Sequence, residues 1–233
     1  MTPAAAMIFA AGRGERMMPL TASRPKPMIE VLGKPLLGHA LERVKTAGIN
    51  SIVVNTHYCA EVVKNYLPPE TAISHETELL DTGGGVKKAL QEKLLPETAP
   101  FLAVNSDVLW TDGDMGAIER LGAAWTDNMD VLLLLVPKDR AWGHEGNKGD
   151  YAMNAEGRLM RLSNPDAPYI YAGVQIVRPQ MYADPALGAR FSNLKIFDAA
   201  EAKGRLFGLV HDGGWFHFST PQSLALFQSR QKP

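Results

Sequence analysis

The sequence predicts an α/β protein: a mostly parallel, Rossmann-like sheet with helices on both faces, and a smaller mixed-sheet lobe attached to it. Three observations predict it. Short apolar runs alternate with amphipathic helical patterns through the first half of the chain, which is how successive βαβ units read. Several of those runs are apolar throughout, as strands covered on both faces are. After Pro137 the texture changes to a polar, glycine-rich stretch followed by strand-turn-strand patterns.

In chain order, "AAMIFAA" (5–11) is the first expected strand. "PLLGHALERVKTAG" (35–48) places Leu36, Leu37, Ala40, Leu41 and Val44 on one helical face and stops near Gly48. "SIVVNTH" (51–57) and "TAISHE" (71–76) are strands on either side of a helix in "CAEVVKNYL" (59–67). "GGVKKALQEKL" (84–94) is helical, and "PFLAVNSDVLW" (100–110) reads as one strand. "MGAIERLGAAW" (115–125) gives a helix and "NMDVLLLLVP" (128–137) a strand. Beyond the loop 138–150, two strands flank a turn at Glu156-Gly157, and "YIYAGVQIVRP" (169–179) adds another. The chain closes with a helix (194–204), two strands (205–212 and 214–218) and a helix (221–230). No repeat, low-complexity tract or long linker divides the 233 residues. They read as a single domain, 1–233, whose second lobe begins near residue 138.

The composition is 45% hydrophobic and 21% charged, with a net charge of −1. That balance gives no electrostatic reason to expect nucleic acid or an anionic membrane as partner. A lone cysteine, Cys59, excludes an intramolecular disulfide and a multi-cysteine metal site. His39, His57, His75, His144 and His211 have no zinc spacing and read as structural or surface residues. The apolar start lacks a basic n-region, and "VLLLLVP" is too short to span a bilayer. A cytoplasmic location is expected.

"GRGERM" (12–17) follows the first strand, where open α/β sheets bind ligands. Met17 occupies the third glycine position of the dinucleotide fingerprint, and no Gly-Lys-Ser/Thr completes a Walker A loop. A solvated connection is one reading. A nest of backbone amides for a polyphosphate, assisted by Arg16 and Lys26, is the other. Pro19, Pro25, Pro27 and Pro35 stiffen the long segment and hold Lys26 between two prolines, which favours the second.

Two further stretches join it. In "ELLDTGGGVKKAL" (78–90) three glycines open a helix that Asp81 or Thr82 would cap. Their backbone entropy is better explained by a ligand ring lying against the main chain. "FLAVNSDVLW" places Asp107 past the carboxyl end of a parallel strand, where a carboxylate can hold a divalent metal. Asp112 and Asp114 read as turn and helix-cap residues.

The pattern "AAGRGERMMPLT…RPKPM" resembles the signature of the sugar-nucleotide nucleotidyltransferases. The resemblance runs from residue 7 to about 227 and implies a nucleotide-binding part in residues 1–137 and a sugar-binding lobe in 138–233. It implies catalytic roles for Arg16, Lys26 and Asp107, and contacts to the nucleotide from Ala11, Gly12, Gly14, Thr82, Gly83 and Gly84, with Glu78 a weaker candidate. The lobe residues Asp150, Tyr151 and Gly173, with Asn105, are implied for the sugar; "GDY" (149–151) and "YAG" (171–173) are most similar to the N-acetylmuramate α-1-phosphate uridylyltransferase branch. "GGWFHFSTPQSL" (213–224) resembles the closing segment, but His217 stands where the family has its second metal-binding Asp. Imidazole suits Mn²⁺ or Zn²⁺ better than Mg²⁺, so His217 is a candidate metal ligand beside Asp107. No hexapeptide repeat of a left-handed β-helix is visible.

The function so implied is transfer of a nucleotidyl group, with Mg²⁺ (or Mn²⁺), from UTP to a sugar-1-phosphate, N-acetylmuramate α-1-phosphate first. The alternatives are N-acetylglucosamine-, glucose- or mannose-1-phosphate as acceptor, another nucleoside triphosphate as donor, or a non-catalytic nucleotide-sugar regulator. An NAD-binding oxidoreductase fails on the absent third glycine. A lactyl substituent would add a carboxylate for which Arg178, Lys148 and Arg190 are the candidate cations.

Overall fold

The computed structural model describes residues 1–144, 146, 148–162 and 164–230. Strand β1 (Ala5–Phe9) leads into a loop with 3-10 turns at Glu15–Met17 and Lys26–Met28, a short hairpin of β2 (Glu30–Val31) and β3 (Lys34–Pro35), and helix α1 (Leu36–Thr46). There follow β4 (Ser51–Thr56), α2 (Ala60–Tyr66), β5 (Ala72–His75), α3 (Asp81–Gln91), β6 (Phe101–Asn105) and β7 (Val108–Trp110). The chain continues through α4 (Ala117–Ala124), β8 (Val131–Pro137), β9 (Tyr151–Met153), β10 (Leu159–Arg161) and β11 (Tyr169–Val177). It ends with α5 (Leu194–Ala202), β12 (Leu206–Val210), β13 (Trp215–His217) and α6 (Pro221–Arg230). The expected loop 138–150 includes residues 145 and 147, which lie outside the described residues, as do 163 and 231–233 of the expected sugar-binding lobe.

The main sheet runs β10-β9-β11-β6-β1-β4-β5, with β8 on β11 and β12 on β8. Strand β1 is at its centre, parallel to β4 and β6, with Ile8 opposite Val54 and Val104. Successive residues of β1 enter different apolar clusters, Ala6 and Ile8 on one face, Ala5 and Met7 on the other. Both faces are therefore dry, which is why the run needs no polar alternation. Helix α1 buries Leu36, Leu37, Ala40, Leu41 and Val44, the face its spacing predicts. The "VLLLLVP" run is β8, with Val131 through Val136 buried. Strand β11 returns antiparallel to β6 and ties the second lobe into the main sheet. No helix among the described residues is long and apolar enough to cross a membrane.

Two boundaries differ from the sequence reading. Residues 100–110 are two strands, because the chain leaves the main sheet at Ser106-Asp107 and β7 pairs instead with β13, Val108 opposite His217. The Ser106 hydroxyl donates to the carbonyl of Phe9, fixing the corner. Helix α3 begins at Asp81 and contains all three glycines, rather than starting among them.

Candidate active site

A cleft of about 600 Å³ opens at the carboxyl edge of β1, β4 and β6, where an open α/β sheet binds its ligands. Its first wall is the loop after β1. The Ala10 N–H donates to Asn55 Oδ1 at 2.7 Å, and Asn55 Nδ2 donates to Glu76 Oε1 at 2.7 Å. Glu76 is 1% exposed and also accepts the Leu80 N–H at 2.9 Å. Burial pushes its carboxyl up despite these donors. Gly14 has φ of +68°, and a Cβ there would lie 2.6 Å from the Lys26 Cβ, so only glycine lets the two ends of the loop meet. The Thr21 hydroxyl donates to the Gly14 carbonyl at 2.9 Å, and Tyr58 Oη donates to the carbonyls of Thr21 and Ala22. The long loop is thus tied to the end of β4 and to the connection between β4 and α2, and Ala11, Gly12, Gly14 and Arg16 line the cleft.

Lys26 and Asp107, 81 residues apart, meet here with Nζ 2.8 Å from Oδ2. His217 Nε2, delivered by β13 beside β7, lies 3.5 Å from the same oxygen. Burial pushes the Asp107 carboxyl up, but the Lys26 charge and the His217 contact outweigh it and hold the group well below the usual carboxylate range. Asp107 therefore stays ionised at neutral pH, with its side chain 31% exposed to the cleft. Among the described residues no group of three His, Cys, Asp or Glu side chains is placed to hold a metal by itself. One carboxylate with an imidazole beside it fits an open divalent-cation site that takes its remaining oxygens from phosphates and water.

The other implied residues fall less uniformly. Asn105 and Thr82 line the cleft. Gly173 sits behind Asn105, at the irregularity in β11 where the register shifts between Tyr171 and Gln175. Asp150 accepts the Tyr171 N–H at 2.9 Å, and Tyr151 is 1% exposed, its hydroxyl without a hydrogen-bond partner among the described residues. Neither is among the residues lining the cleft.

The glycine run has a different physical reason from the one its sequence suggests. A Cβ on Gly83 would strike the Phe191 ring at 2.4 Å, and one on Gly84 the Ala189 carbonyl at 2.2 Å. The space is filled by the protein's own segment 188–193, not by an open ligand face. Gly84 N–H donates to Phe191 O at 3.0 Å, Phe191 N–H to Leu80 O at 3.1 Å, and Asn193 N–H to Thr82 Oγ1 at 2.9 Å. The sequence does not single out Asn55 or Glu76. Both stand at the carboxyl edge of the sheet, the same placement that pointed to Asp107.

A parallel sheet whose carboxyl edge carries a cationic loop, a buried lysine and an ionised aspartate defines a protein that handles phosphorylated ligands. Residues 5–144 match the Nucleotidyl transferase family. The N-acetylmuramate α-1-phosphate uridylyltransferase of Caulobacter vibrioides is 38% identical, over 98% of this chain and 97% of its own length. That of Neisseria meningitidis is 33% identical over 92% and 93%. Among solved structures, HddC from Yersinia pseudotuberculosis complexed with GMP-PN superposes with a TM-score of 0.76 at 18% identity, over 98% of this chain and 99% of that one. The chain belongs to the Nucleotidyl transferase family and is a sugar-1-phosphate nucleotidyltransferase, a group that generally uses a divalent metal.

Proposed function

We propose that the chain transfers uridylyl from UTP to N-acetylmuramate α-1-phosphate, releasing pyrophosphate and the UDP-sugar, in the cytoplasm. The observation that carries this choice of substrates is that two uridylyltransferases for that sugar phosphate align with nearly all of the chain. A phosphate oxygen of the sugar-1-phosphate attacks the α-phosphorus of UTP in line, the α–β bridge bond breaks, and no protein nucleophile is required. Residues 1–137 would hold the nucleotide and 138–233 the sugar. Ala11, Gly12 and Gly14 offer the triphosphate the backbone of a fixed loop, and Thr82 lines the cleft beside the nucleoside, with Gly83 and Gly84 behind it against segment 188–193. Arg16 and Lys26 neutralise charge that grows on the phosphates, from positions set before substrate arrives. Asn105 contacts the sugar in the cleft, whereas Asp150, Tyr151 and Gly173 hold β9 and β11 behind it. Asp107, with His217 beside it, would hold Mg²⁺ or Mn²⁺, which when bound supplies further neutralisation of the polyphosphate.

The test is pyrophosphate release with each common nucleoside triphosphate against N-acetylmuramate- and N-acetylglucosamine-1-phosphate. Turnover confined to UTP with the muramate sugar, abolished by EDTA and restored by Mg²⁺, is expected. Preference for another pair overturns the substrate choice, and binding without release would make the chain a regulator.

A further inference from the structure

We infer that Arg190 recognises a carboxylate carried by the acceptor sugar, the group that a lactyl substituent adds. The inference rests on the N-acetylmuramate reading above. Such an acceptor brings one negative charge more than its N-acetylglucosamine counterpart, at a point remote from the phosphate. A cation on a different wall from the phosphate loop is what that charge requires.

Arg190 is such a cation. It lines the same cleft as Arg16 and Lys26, carried by the segment packed on α3 and not by the loop after β1. Among the described residues its guanidinium has no hydrogen-bond or ion-pair partner, although the carboxylate of Asp81 lines the same cleft. Its backbone is held firmly. Lys87 Nζ donates to Gly188 O at 3.1 Å, the Gly84–Phe191 and Phe191–Leu80 bonds pin the strap to α3, and Phe191 is 4% exposed beneath it. An unpaired guanidinium on a fixed backbone is suited to bidentate recognition of a carboxylate.

The other candidates are elsewhere. Arg178 donates to the carbonyl of Met129 at 2.7 Å, pairs with Asp127 and lies over the Trp125 ring. It follows Val177, which is opposite Phe101 at the start of β6, so it is about 16 Å along the sheet from Asn105 and the cleft. Lys148 is exposed and is not among the cleft-lining residues. The glycine run then has a second consequence: it lets the Arg190 strap lie close enough to α3 to face the acceptor.

The test is steady-state kinetics of Arg190→Gln and Arg190→Lys with N-acetylmuramate-1-phosphate and N-acetylglucosamine-1-phosphate. Arg190 is exposed, and both variants should melt as the wild type does. For Arg190→Gln, KM for the muramate sugar rises about 10–100-fold. Its kcat and its KM for UTP stay within about twofold, and the preference for muramate over glucosamine falls by the same factor as the KM rise. Arg190→Lys keeps part of the preference. Equal losses on both sugars, a raised KM for UTP, or no change with a preference intact overturn the role of Arg190 alone. A wild type that does not turn over the muramate sugar overturns the substrate reading, and this inference with it.

Discussion

Replacing Gly84 with alanine separates a glycine kept for the protein's own packing from one kept for a ligand. The new Cβ would lie 2.2 Å from the Ala189 carbonyl oxygen. Carbon and carbonyl oxygen settle at roughly 3.3–3.6 Å, so the strap must retreat by about 1.2 Å. That takes the Gly84–Phe191 and Phe191–Leu80 bonds, now 3.0 and 3.1 Å, beyond hydrogen-bond length. Each contributes about 0.5–1.5 kcal/mol net, and Phe191 loses part of its packing as it lifts. Against this, alanine in a helix returns about 1 kcal/mol of propensity. The balance is a loss of about 1–3 kcal/mol, and hence a Tm lower by roughly 2–12 °C for a chain of this size. Thermal unfolding followed by circular dichroism reads it, with pyrophosphate release measured on the same samples. KM for the sugar phosphate should rise with the strap's displacement. A Tm at or above the wild-type value, with KM for UTP raised, would refute the packing account and restore the ligand face.

Lys26→Met and Asp107→Asn should each lower kcat by about 10²–10³-fold while leaving a cooperative unfolding transition; pyrophosphate release with near wild-type kcat in either variant would remove that residue from the chemistry. Glu76 ionises in the unfolded chain near its ordinary value of 4.5 but higher in the fold, because burial opposes its charge. The stability from its neutral form is complete below that ordinary value and is lost as pH rises through the folded value. Tm measured between about pH 4 and pH 7 should therefore fall in the wild type relative to Glu76→Gln, and parallel curves would show that Glu76 does not titrate differently in the fold.

Much of the fold is legible in the sequence because local and tertiary preferences agree there. The 3.6-residue spacing of Leu37, Ala40, Leu41 and Val44 needs only one apolar neighbour to become α1. The uninterrupted "VLLLLVP" can satisfy its surroundings only as a strand covered on both sides. The corner at Ser106-Asp107 is different. Val108, Leu109 and Trp110 continue an apolar run, and what takes them out of the main sheet is pairing with Trp215–His217, more than 100 residues away. Helix α3 starts earlier than its sequence suggests for a similar reason. Glycine disfavours a helix locally, and the contact that makes it tolerable comes from residues 189–193.

The same division of local from distant explains which parts of the site were readable. Arg16, Lys26 and Asp107 could be singled out because each stands in its own short signal: a glycine-rich turn, a lysine between prolines, a carboxylate at a strand end. Their meeting is then a consequence of β1 and β6 being adjacent, which the alternation of strands and helices already implies. Asn55 and Glu76 carry no such signal, since Asn55 is one polar residue after an apolar run and Glu76 follows Ser74 and His75 in a mixed stretch, and only their 2.7 Å contact under the Ala10 amide gives them a role. In the sequence Arg190 is one of three candidate cations for a lactyl carboxylate, with Arg178 and Lys148, and the docking of the strap is what brings it to the cleft. Three glycines in α3 were conspicuous, but a sequence cannot say what lies against a missing side chain. A bound ring and a folded-back strap ask for the same absence of Cβ, and only the position of Ala189 and Phe191 tells them apart.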